Sequence, residues 1–228
     1  ATIDVLSEGR LLPAFGIGSP LGPEWTALDI DTKTRGRRTD ESLEIIARLW
    51  REESVDFQGR HYKLAGASIS PKPVQPDLPM WIGGSSDAAV RRTAKYGTGW
   101  QGGGETIEDA IRTVAAIKKA LPEAGRSIDE DHYGASFPYY FGAPSDPVVG
   151  RAMDAYAKRT GRDPKRQFAV GDASTILDRV GEYVAGGVQK FILRPIGPGE
   201  QVLVQTKLLI EQVLPQVGTR WPKTAKAA

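Results

Sequence analysis

No cysteine occurs among the 228 residues. Disulfides, thiol nucleophiles and thiolate metal sites are therefore excluded, and a reducing cytoplasm suits such a chain. Histidine is almost absent. His61 and His132 lie far apart, and neither an HExxH nor a His-x-His spacing exists. A zinc or non-haem iron site has no ligand set to draw on, so no metal is expected. No apolar run approaches the ~18 residues that a membrane span needs. An excess of one charge is lacking too: 30 Lys and Arg face 28 Asp and Glu, for a formal +2. Near balance gives no electrostatic case for nucleic acid or an anionic membrane as partner.

What remains is an ordinary globular composition, 40% hydrophobic and 25% charged, long enough for a sizeable core. The chain opens ATIDVLSEGR without Met. Ile3 and Leu6 read as the last turn of a helix with Gly9 as its cap, so the chain is expected to begin inside a helix, as a fragment would.

Leu11 to Ile17 reads as a buried strand ending in Gly16-Ile17-Gly18. Residues 19–34 carry Pro and Gly throughout and read as a long loop. Leu43, Ile46, Ala47 and Trp50 form a helical stripe over Thr39–Arg51. Val55–Leu64 alternates around Gln58-Gly59 and predicts a hairpin. Four prolines between Ser70 and Pro79 require extended loop.

From Met80 the pattern becomes regular. Strands are expected at Met80–Ile82, Thr98–Gln101, Tyr133–Phe141 and Phe191–Pro195. Helices are expected at Asp87–Tyr96, Thr106–Leu121, Asp172–Val184 and Val202–Val217, the last with Leu209, Ile210, Val213 and Leu214 turned inward. Residues 142–170 read as an insertion holding one helix, with Asp146 as cap and Pro147 at its first position. Alternating strands and helices argue a parallel sheet with helical crossovers, doubly wound or a (β/α) barrel. In either, ligands meet the carboxyl ends of the strands. Residues 1–218 are taken as one barrel domain and 219–228 as a disordered tail.

The stretch PMWIGGSSDAAVRRTAKYGTGWQ, from Pro79 to Gln101, carries the sharpest chemical signal. Gly83 and Gly84 let a ligand approach the backbone, and Ser85, Ser86 and Asp87 are good helix caps. The helix they open presents unpaired N–H groups and a positive dipole end. Strand, Gly-Gly-Ser-Ser, helix is thus a seat for phosphate, with Arg91 and Arg92 one turn further in. A capped turn without a ligand is the structural alternative. Gly16-Ile-Gly18-Ser-Pro-Leu-Gly22 misses the spacing of a dinucleotide fingerprint.

These motifs, in order, resemble the luciferase-like monooxygenases. The segments that carry the resemblance are IDVLSEGRLLPAFGIG, RGRRTDESLEIIARLW, FQGRHYKL, PKPVQPDLPMWIGGSSDAAVRRTAKYGTGWQ and ILDRVGEYVAGGVQKFIL, which together span most of the chain. The resemblance implies a (β/α)8 TIM-barrel fold, of which about the last five β/α units are present. It implies a flavin-dependent oxidoreductase. With reduced FMN the reaction is oxygenation, served by a separate flavin reductase; with the deazaflavin coenzyme F420 it is hydride transfer. It implies that Gly83, Gly84, Ser85 and Ser86 hold the cofactor phosphate, and that Gly16, Gly18, Trp100 and Gln101 line the pocket. Members of that family carry an upstream segment that supplies the first strands and further residues near the reactive ring. The catalytic residues are accordingly unassigned. The expected assembly is a homodimer acting on a small organic substrate. A shortened flavin-binding protein without catalysis and a phosphosugar-binding barrel are the alternatives.

Among single residues, Trp25 in the long loop is a candidate to cover the cofactor or the substrate, with loop packing as the alternative, and Tyr139 or Tyr140 at the end of a strand is a candidate for the substrate pocket, with core packing as the alternative. Asp40 and Glu41 read as acids serving a helix dipole. Arg35, Arg37 and Arg38 read as a solvated face, with contact to a polyanionic cofactor tail as the alternative. His61, in the hairpin, and His132, ahead of a strand, read as structural.

Overall fold

Parallel strands joined by helices dominate the computed structural model, which describes residues 1–19 and 22–222. The described residues fall into two compact units, one of Ala1–Gln101 with Ala115–His132, the other of Gly102–Val114 with Tyr133 onward. Among the described residues no helix is long and apolar enough to cross a membrane.

The first unit begins with α1 (Thr2–Leu6), β1 (Ala14–Phe15), α2 (Pro23–Ala27) and α3 (Arg35–Arg51). Next come β2 (Val55–Gln58), β3 (Lys63–Ala67), β4 (Trp81–Gly83), α4 (Asp87–Tyr96) and β5 (Gly99–Gln101). β1 pairs in parallel with β4, placing Ala14 opposite Trp81 and Phe15 opposite Ile82. β4 pairs in parallel with β5, placing Gly83 opposite Gln101. The expected hairpin is present as the antiparallel β2 and β3.

The helical stripe on α3 does what its spacing implies. Leu43 packs with Met80 and Ile82 of the strand layer, and Ile46, Ala47 and Trp50 lie against the same cluster. Each such buried side chain stabilises by roughly 1.5–3 kcal/mol relative to exposure. α3 starts at Arg35, ahead of the expected Thr39, and α2 falls inside what reads as loop. Pro23 sits in the first turn of α2, where its missing N–H costs nothing.

α5 (Ile107–Glu123) contributes to both units. The second unit continues with β6 (Tyr133–Phe141), α6 (Pro147–Thr160), β7 (Ala169–Gly171), α7 (Ala173–Ala185), β8 (Lys190–Pro195), α8 (Gly199–Leu208) and, after a π turn, α9 (Leu214–Arg220). β6 pairs in parallel with β7 and with β8. Asp146 caps α6 by accepting from the Val148 amide at 2.9 Å, and Asp172 caps α7 through Thr175. Phe137 stacks on Tyr183 at 5.7 Å, and Phe191 meets both rings edge-on.

Three expectations need correction. The insertion holds a strand, β7, as well as its helix. The last helical segment begins at Gly199 rather than Val202. Of its inward candidates Val213 is buried, whereas Ile210 and Leu214 are each 53% exposed. The π turn at Leu209–Val213 explains the last point, because its wider winding shifts the stripe. Of the expected tail, residues 219 and 220 belong to α9, and 223–228 lie outside the described residues.

Candidate functional site

The turn from β4 into α4 is built as its sequence suggests. Gly84 adopts φ +101°, a region open to glycine, and a Cβ there would press to 3.3 Å on Ala89. Ser86 is the N-cap of α4, its Oγ accepting from the Ala89 amide at 3.3 Å. The amides of Asp87 and Ala88 stand in the first turn, where no intrahelical acceptor exists. Ser85 is half-buried beside them. This cradle of glycine backbone, hydroxyls and first-turn amides fits the phosphate end of a cofactor.

Trp100 does not line the pocket. Its side chain is 0% exposed, and its Nε1 donates to the Gly84 carbonyl at 2.8 Å. It braces the glycine turn from the adjacent strand. Gln101, at the end of β5 and opposite Gly83, is half-buried. A Cβ at Gly83 would lie 3.4 Å from the Gln101 carbonyl oxygen and 3.7 Å from that of Phe15. The seat is thus framed by the ends of β1 and β5.

The arginines after the turn serve other ends. Arg92 is buried, with its Nε on Asp40 at 2.6 Å and an Nη on the Gly36 carbonyl at 3.0 Å, which docks α4 on α3. Arg91 lines a groove on the outer faces of α3 and α4. Lys95, Glu44 and Tyr96 pair with one another in that groove, with Tyr96 donating to Glu44 at 3.1 Å. Asp40 and Glu41 are likewise not dipole acids. Glu41 accepts three amides of the β2–β3 turn, those of Arg60, His61 and Tyr62, each at 2.9 Å. Desolvation works to raise its pKa, but the three amides together outweigh it, and Glu41 titrates below the usual range.

That clamp brings Tyr62 to a cleft of about 410 Å³ at the carboxyl end of β1. Gly16, Ile17, Gly18 and Trp25 of α2 line it. The Trp25 Nε1 donates to the Ser19 carbonyl at 2.6 Å, and a Cβ at Gly18 would meet the indole at 2.9 Å. The sequence candidates Gly16, Gly18 and Trp25 therefore share one cleft. Arg35 and Arg38 read from sequence as a solvated face, yet both line this cleft. Arg38 donates from Nε to the Tyr62 hydroxyl at 3.2 Å, and its guanidinium lies 5.6 Å from the ring centre. Arg38, and after it Ser42, holds the phenol below its usual pKa. The spacing of Arg35 and Arg38 one turn apart was the available signal.

Tyr139 is placed elsewhere, 1% exposed and edge-on to Phe141. Desolvation in that core raises its pKa. Tyr140 donates to Asp146 at 2.8 Å and packs with Val149, Tyr156, Phe168 and Ile196. His132 pairs through Nδ1 with the Thr98 carbonyl at 2.9 Å and lies against Trp81. His61 is a turn residue held by Glu41.

The luciferase-like monooxygenase profile matches residues 1–205. The chain belongs to the luciferase-like monooxygenase family. An uncharacterised protein of Mycobacterium tuberculosis is 34% identical over 114 residues, covering 50% of this chain and 39% of its own. The match thus spans well under half of that curated relative. The F420-dependent glucose-6-phosphate dehydrogenase of Amycolatopsis mediterranei is 27% identical over 252 aligned residues, covering 95% of this chain and 72% of its own. An F420-dependent secondary alcohol dehydrogenase, solved with an F420–acetone adduct, superposes with a TM-score of 0.75 at 18% identity. That superposition covers 93% of this chain and 72% of the other. The shared fold agrees with the expected partial barrel of parallel β/α units.

Proposed function

We propose that the chain is part of a flavin-type oxidoreductase whose cofactor is F420 or reduced FMN. The observation that carries the reading is the turn Gly83–Ser86, with Gly84 at φ +101° and the capped N-terminus of α4 beyond it. Gly83 and Gly84 let the phosphate approach the backbone, the Asp87 and Ala88 amides and the Ser85 hydroxyl donate to it, and Trp100 holds the turn in place. When bound, F420 supplies hydride transfer and reduced FMN supplies oxygen activation; the protein orients the ring and excludes water. The Amycolatopsis relative carries F420 in its name, which makes it the first cofactor to try. In the FMN case a separate reductase supplies the reduced flavin. The reading includes a homodimer, to be checked by sedimentation velocity.

Anaerobic titration with reduced F420 and with reduced FMN tests the reading. Saturable binding of one of them is expected, weakened at least tenfold by Ser85→Ala combined with Gly84→Val. Binding of neither overturns it. Unchanged affinity in the double variant moves the phosphate elsewhere.

A further inference from the structure

The lining of the cleft at the end of β1 is of two kinds. One is cationic and hydroxylic: Arg35 and Arg38 project from the first turn of α3, with Ser42 and Tyr62 beside them. The other is apolar: Ile17, Trp25, Leu28 and Ile30. Leu28 is 66% exposed, an apolar surface left open to water next to two guanidiniums. Two positive charges face a single lining carboxylate, Glu24.

The cationic lining is only partly satisfied. Arg35 donates from Nη1 to the Thr32 carbonyl at 2.8 Å, but its Nε is buried and has no partner among the described residues. Arg38 commits its Nε to Tyr62, and among the described residues its Nη groups have no hydrogen bond. The Tyr62 hydroxyl accepts from Arg38 and has Ser42 as a second polar neighbour. Guanidinium forks and a phenol match the planar oxygens of a carboxylate. The apolar side chains that line the same cleft suit a carboxylate carried on an apolar body.

We propose that this cleft binds a small organic acid, a carboxylate on an aromatic or aliphatic body, and that such an acid is the substrate class. The cleft is one strand from the phosphate seat, since β1 and β4 are paired neighbours. That the acid is a substrate rests on the oxidoreductase reading; the site itself does not.

The probes are benzoate, its neutral counterpart benzyl alcohol, and inorganic phosphate, titrated by calorimetry into the full chain. Benzoate is expected to bind saturably at one site, benzyl alcohol at least tenfold more weakly, and phosphate not to compete. Arg35→Gln with Arg38→Gln should cost benzoate at least tenfold and leave binding of the reduced cofactor unchanged. Leu28→Glu, at an exposed rim position that cannot disturb folding greatly, should weaken benzoate in the same way. Benzoate binding in a protein that binds neither cofactor would support the site and overturn the oxidoreductase reading, and with it the assignment of the acid as substrate. Equal binding of benzoate and benzyl alcohol overturns the proposal. So does loss of cofactor binding in the arginine variant, because the cleft would then belong to the cofactor.

Discussion

The Trp100 indole N–H donates to the carbonyl oxygen of Gly84 across the β4–β5 pair, at 2.8 Å and shielded from water. It fixes a peptide whose glycine stands at φ +101°. Trp100→Phe keeps most of the ring and removes the donor. An unpaired buried acceptor costs about 1–3 kcal/mol. Urea unfolding should show a loss in that range. Cofactor affinity should also fall, since the turn is no longer held. A stability loss with unchanged cofactor affinity would reduce Trp100 to packing.

Gly18→Ala tests the lining of the cleft. Gly18 has φ +73°, and an added Cβ would meet the Trp25 ring at 2.9 Å. Left-handed backbone costs a non-glycine residue about 1–2 kcal/mol. The indole must also swing away. A shift in the fluorescence of Trp25, isolated by comparison with a Trp25→Phe variant, is the expected sign.

Glu41 predicts an acid-dependent stability. Its folded pKa lies below its ordinary 4.5, so its contribution is present above that value and lost as pH falls through the folded pKa. Glu41→Gln should therefore be less stable than the wild type at neutral pH. The gap should narrow as the pH falls below 4.5, in urea midpoints taken across pH.

Tyr183 predicts the opposite limb. Its hydroxyl donates to the Glu105 carbonyl at 3.0 Å, and burial pushes its pKa up to about 12. The unfolded chain loses this proton near 10, so stability falls between about pH 10 and about 12. Tyr183→Phe should flatten that part of the profile.

Gln205 clamps the end of β6. Its Oε1 accepts from the Phe141 amide at 2.6 Å and its Nε2 donates to the Phe141 carbonyl at 3.1 Å. Gln205→Leu leaves both backbone groups unpaired, at about 1–3 kcal/mol each by the usual cost of such groups. A urea midpoint unchanged from wild type would show that water replaces the amide there.

Elements with chemical ends are legible in the sequence. α4 spans Asp87–Tyr96 as expected, because Ser86 caps its start and Gly97 closes it. β6 spans Tyr133–Phe141 as expected, being a long aromatic run after a turn. β7 escapes such a reading because three residues, Ala169–Gly171, carry too little apolar signal to show a period. α2 escapes it because its Pro and flanking Gly read as loop punctuation. The glycine turn is legible, since glycines and caps act through local backbone. The role of Trp100 is not, because a three-residue strand does not reveal which way its middle side chain points. Glu41 and the cleft arginines mislead because their partners lie about 20 residues away or on another element.

Asp4 has a kinetic consequence. Its buried carboxylate accepts from the amides of Val74 and Gln75 and from the Gln75 side chain, which also donates to the Leu11 carbonyl. Residues about seventy apart in the chain must meet before that charge is matched. Until then the carboxylate keeps its water, and the approach of α1 to the proline-rich segment offers no net gain. The entropy of closing so long a loop falls on this single clasp and the β1–β4 pairing beside it. The clasp should consequently form late. Asp4→Asn would then speed unfolding far more than it slows refolding.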